Sequence, residues 1–140
     1  MNKNLTTTIL LVILGITDAY LLSHPNLIGR VGILIYRHDY LKTFPRALAT
    51  VFLVLGICLF ICEVIRRIRL PRAAIAWYLM GMVLGMALFA YVFVSFSSLT
   101  YSMTGKAFIY GAHLLPVLVT AIFGRYLISA IYKTRNQGGI

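Results

Sequence analysis

The sequence predicts an all-α integral membrane protein: four transmembrane helices, with an interfacial or re-entrant amphipathic helix between the first two. Three observations carry this expectation. Hydrophobic residues make up 61% of the 140-residue chain and charged residues 11%, where a soluble domain carries about 25% charged residues. A mean hydropathy of +0.91 leaves a chain this short too little polar surface to cover a globule in water. The apolar residues also fall into four runs, each near the roughly 20 residues that a helix needs to cross a bilayer core. None of the runs shows sustained alternation, and four strands cannot close a membrane barrel. Residues 1–140 therefore read as one membrane domain.

The first span is expected over Leu5–Leu22. Its start imitates a signal peptide, with Lys3 as the basic end, Ile9–Ile16 as the apolar run and Ala19 as a weak cleavage position. We read it as a retained helix. The second span is Ala47–Ile65, "ALATVFLVLGICLFICEVI". The third is Ala73–Phe96, "AAIAWYLMGMVLGMALFAYVFVSF". The fourth is Ala107–Tyr132, "AFIYGAHLLPVLVTAIFGRYLISAIY".

Residues 24–46 separate the first two spans and are too charged to cross a bilayer. As a helix, "LIGRVGILIY" would reach only about 15 Å, half a bilayer core. Leu27, Val31, Leu34 and Leu41 fall near one helical face, with Asn26, Arg30 and Arg37 on another. This reads as an amphipathic element lying in the interface. Its polar centre, Arg30 with Tyr36, Arg37, His38, Asp39 and Tyr40, is the candidate docking element for another protein. An ordered surface loop with lipid-facing anchors and a substrate gate are the other two readings.

Lys and Arg near the span ends set orientation. Lys3, Arg66, Arg67, Arg69, Arg72, Lys133 and Arg135 share one side. Arg30, Arg37, Lys42, Arg46 and Lys106 share the other. The densest cluster, "RRIRLPR", occupies the shortest loop, where the positive-inside bias counts most. Both termini are therefore expected in the cytoplasm, with the chain integral to the inner (cytoplasmic) cell membrane. Trp77, Tyr126 and Tyr132 then fall toward the inner interface, and Tyr20, Tyr36, Tyr40 and Tyr110 toward the outer one, as an aromatic belt requires.

Four ionisable residues lie inside the spans, where burial is expensive and points to function or to a structural lock. Asp18 and His113 sit at similar depths from the outer side. They can meet as a proton relay, or as a hydrogen-bonded lock between helices. Asp18 can instead find Arg30 or Arg46. Glu63 and Arg125 form the inner-side counterpart, as a cross-helix bridge or with Glu63 paired locally to Arg66 and Arg67. Gly81 and Gly85 form a small-residue pair in the third span that lets a helix approach closely, either within the chain or against a partner subunit. Pro116 is expected to kink the fourth span and free a carbonyl near His113. Cys58 and Cys62, four apart, share a helical face and carry no zinc-type spacing.

No stretch resembles a nucleophile elbow, a metalloprotease helix, a P-loop or a dinucleotide fingerprint. Three carboxylates and three histidines are few from which to build a hydrolytic site. We therefore expect no enzyme activity, no cofactor and no metal. Nucleic acid is not an expected partner, since no soluble basic domain remains once the spans are set aside. The expected partners are the lipid bilayer and a larger membrane protein, with a homo-oligomer also open.

The leading expectation is a non-catalytic accessory or structural subunit of a membrane complex. A small proton- or ion-coupled transporter or channel working as a homo-oligomer is the alternative. A haem- or quinone-binding electron-transfer subunit is third. For haem, His113 would need a second ligand, and His24 is the candidate at similar depth.

Overall fold

The computed structural model describes residues 3–24, 43–68, 71–96 and 105–137. Among these residues the chain forms four helices: α1 (Lys3–Leu22), α2 (Phe44–Ile68), α3 (Pro71–Phe96) and α4 (Lys106–Gln137). Three of them, α2, α3 and α4, are long and apolar enough to cross a membrane. The apolar stretch of α1, Thr6–Leu22, is shorter. Residues 25–42, which hold most of the expected amphipathic element and all of its docking candidates, lie outside the described residues.

The helices outrun the apolar runs that predict them. α2 begins at Phe44 rather than Ala47, so residues 44–46 belong to the helix and not to the insertion. Thr43 precedes it, and its carbonyl accepts from the Ala47 amide at 2.9 Å. Pro45 is tolerated there because first-turn amides have no partner within the helix. α3 opens on a proline for the same reason. α4 continues through charged residues to Gln137, about 48 Å of helix, longer than a bilayer core. Hydropathy reports where a helix is apolar, while backbone hydrogen bonding continues into the polar turns at its ends.

Gly105 turns the chain into α4 at φ 103°, a left-handed conformation that glycine adopts without a Cβ clash. Its carbonyl accepts from the Ile109 amide at 3.1 Å, closing the first turn. α4 then runs through Pro116 as one helix. The proline removes an amide that would bond the Ala112 carbonyl. One turn later, the Thr120 hydroxyl donates to the Pro116 carbonyl at 2.8 Å.

Neighbouring helices run antiparallel. The end of α1 meets the start of α4 at Leu22 and Gly111, and Gly15 faces Phe52 and Leu55 of α2. Tyr78 of α3 reaches Cys62 of α2. Gly81 and Gly85 face Phe123 and Thr120 of α4. α4 packs against all three other helices, most extensively on α3 and then on α1, whereas α2 and α3 meet only slightly. This is an up-down-up-down bundle with α4 at its centre. Small residues make the approach close, with Ala19, Ala47 and Ala74 buried at the crossings. The outside is apolar, with Leu10, Leu53, Phe60 and Ile128 all exposed. A bundle that hides its small residues and exposes its large apolar ones suits a lipid surround.

Candidate functional site

Asp18 is the buried acidic side chain of the bundle. It is fully buried, and neither carboxyl oxygen has a hydrogen-bond partner among the described residues. Local geometry explains its direction. Gly15, Asp18 and Leu22 recur at i, i+3 and i+7, so they share the face of α1 that packs on α2 and α4. With Leu22 against Gly111, Asp18 lies about one turn deeper, level with the part of α4 that holds Pro116. A buried carboxyl without a partner is costly, since nothing replaces the water it lost.

His113 does not pair with it. Its Nδ1 is 2.6 Å from the Ile109 carbonyl oxygen. A carbonyl only accepts, so Nδ1 carries the hydrogen, and in the neutral ring Nε2 keeps its lone pair. The ring is enclosed by α3: Phe89 at 5.5 Å between centroids, Phe96 at 5.8 Å and Phe93 at 6.1 Å. Gly111 faces α1, and two residues along a helix turn the side chain by about 200°, so His113 faces α3 instead. Similar depth thus gave the right level on the wrong side of α4. His24 is held elsewhere again, its Nδ1 2.8 Å from the Tyr20 carbonyl and its ring 4.2 Å from that of Tyr20.

At the other end of the bundle, Glu63 pairs along its own helix. Its Oε1 accepts from Arg66 Nη2 at 2.7 Å and from Arg67 Nε at 3.0 Å. Arg125 of α4 lines the same cleft as Glu63, together with Thr8, Arg66, Tyr126 and Ser129. Beneath it, the buried Tyr78 hydroxyl donates to the Cys62 carbonyl at 3.1 Å, and the Tyr78 and Tyr126 rings lie 5.7 Å apart. Both cysteines are free; Cys62 is buried and Cys58 partly so.

Gly81 and Gly85 face inward within this chain. A Cβ on Gly81 would strike the Phe123 ring, and one on Gly85 would lie 2.5 Å from Thr120 Oγ1 and 3.3 Å from Thr120 Cα. The docking candidates Arg30, Tyr36, Arg37, His38, Asp39 and Tyr40 lie outside the described residues.

Two features escaped the sequence reading. The first is the aromatic cage of His113. Phe89, Phe93 and Phe96 are spaced four and three apart, the signature of one helical face, so the pattern was there to find. The second is the cleft at the Arg125 end, whose lining comes from α1, α2 and α4 and has no local signal. Comparison of the chain with protein-family models, curated proteins and solved structures gives no match.

Proposed function

We propose that this chain is a small polytopic membrane protein acting as a non-catalytic accessory or structural subunit of a larger membrane complex. The observation that carries this reading is the outer face of α3. Met80, Leu84, Tyr91 and Val94 form one exposed stripe, turned away from the glycines that seat the helix on α4. This helix leans on α4 and meets α2 only slightly, so the described residues leave most of its circumference to a partner helix. We further propose four spans, with α1 crossing beside α4, and both termini in the cytoplasm.

The test is a photo-crosslinking amino acid at Leu84 or Tyr91 in the full chain at natural expression, with Phe60 of α2 as the comparison site. Capture of one membrane protein in stoichiometric amount from α3 alone supports the subunit reading. Capture of lipid alone, or equal capture from Phe60, refutes it. For topology, with Cys58 and Cys62 replaced, a cysteine at Lys106 should react with an impermeant reagent from outside. One at Lys133 should react only after the membrane is opened. The reverse pattern overturns the orientation.

A second reading has its own observation. The buried Asp18 carboxyl, unpartnered among the described residues, is the kind of group that binds a transported proton or cation in a small homo-oligomeric transporter. On that reading Asp18→Asn abolishes flux in reconstituted vesicles while assembly survives. Unchanged flux, or no flux in the parent chain, removes it.

A further inference from the structure

Three cavities at the Arg125 end of the bundle join into one groove. The first is an apolar furrow of about 90 Å³ between α1, α2 and α4, open along its length and walled by Leu10, Leu14, Leu118 and Ile122 among others. The second, about 270 Å³, is polar and is lined by Thr8, Glu63, Arg66, Arg125 and Ser129. Both include Leu59, Arg125 and Tyr126, so the furrow opens directly under the polar mouth. A third, about 200 Å³, shares Arg66, Tyr126 and Ser129 with the mouth and adds Lys133.

We propose that this groove is a binding site for one anionic phospholipid. Its phosphate lies at the mouth, toward Arg66, Arg125 and the Ser129 hydroxyl, with Lys133 beside the distal headgroup. One acyl chain runs down the furrow between α1 and α4.

The groove is basic even after its carboxylate is counted, because Glu63 is a single acid against Arg66, Arg125 and Lys133. Glu63 fixes Arg66 from one side, and guanidinium has further donors to offer a phosphate. The polar part lies at the end of α2 and in the last third of α4, and the furrow extends about two turns deeper along α1 and α4. That is the order of headgroup and tail in a leaflet. A free phosphate would leave the apolar furrow without a role, and a zwitterionic lipid would leave the net positive charge of the mouth unused. The site serves an accessory subunit or a transporter equally, so it does not depend on which reading of function holds.

The test is native mass spectrometry of the full chain in detergent, titrated with phosphatidylglycerol or phosphatidylcholine of identical chains. The parent protein should retain phosphatidylglycerol preferentially. Arg125→Gln should lower that retention about fivefold, the worth of one basic residue beside an anionic surface. Arg135→Gln, which makes the same charge change outside the groove, should leave it unchanged. Ala121→Phe fills the furrow from an exposed position and should weaken both lipids alike. Ser129→Glu, at the exposed rim, should erase the headgroup preference without disturbing the bundle, and it serves if Arg125→Gln fails to fold. Equal retention of the two lipids by the parent chain overturns the proposal. So does an equal loss in Arg125→Gln and Arg135→Gln, or displacement of the lipid by millimolar inorganic phosphate.

Discussion

The α3–α4 seam gives the sharpest test of the fold. Gly81→Ala and Gly85→Ala each add one carbon to a surface that has no room for it. At Gly85 the new Cβ would sit 2.5 Å from Thr120 Oγ1 and 3.2 Å from the Thr120 amide nitrogen. Ordinary contact near 3.4 Å requires about 0.9 Å of movement. The hydroxyl does not swing away freely, because it is bonded to the Pro116 carbonyl. At Gly81 the obstacle is the buried Phe123 ring, clashing through Cγ as well as its edge, so the whole ring must shift. Overpacking of this kind costs about 1–3 kcal/mol per site. Gly56→Ala is the matched control. Its Cβ meets nothing within 4 Å, and replacing a helical glycine there should stabilise by about 0.5–1 kcal/mol. Reversible unfolding in mixed micelles, followed by the single tryptophan, Trp77 of α3, reads all three variants. Thr120→Ala should partly rescue Gly85→Ala and should not rescue Gly81→Ala, because relief is local. If Gly81→Ala and Gly85→Ala unfold at the parent midpoint while changing oligomeric state, the seam faces a partner subunit and the reasoning fails.

Asp18 and His113 should behave as independent sites. In a double-mutant cycle of Asp18→Asn with His113→Gln, the coupling should stay below about 0.5 kcal/mol, while a larger coupling would mean that the two side chains meet. Tyr78→Phe removes the buried bond to the Cys62 carbonyl and should cost about 0.5–1.5 kcal/mol in the same unfolding assay. No loss there would show that the hydroxyl contributes nothing to the α2–α3 contact. Gly111→Ala should disturb the α1–α4 crossing, since its Cβ would lie 2.9 Å from the Leu22 amide nitrogen, a backbone atom that no side-chain rotation clears. A parent-like melting profile would refute that close approach.

By itself the sequence determined the order of the four described helices and the apolar character that makes α2, α3 and α4 long and apolar enough to cross a membrane. The reason is local: in lipid a helix satisfies its own backbone groups, so a run of about 20 apolar residues suffices to predict it. It also determined that Glu63 has Arg66 and Arg67 within reach, because three- and four-residue spacings are set by one helix alone. Hydropathy did not mark the ends of α2 and α4, where helix continues past the apolar run. At His113, depth along the helix was legible and direction around it was not. Direction depends on how α4 is seated. Gly111 against Leu22 fixes one side toward α1, so His113 two residues later turns to the phenylalanines of α3, and Asp18 is left in the core without a partner among the described residues. The inward setting of Gly81 and Gly85, and the groove that brings Arg66 and Arg125 together over Leu10 and Leu14, were likewise decided by tertiary packing. Each depends on residues tens of positions apart, brought to one place only when all four helices are docked.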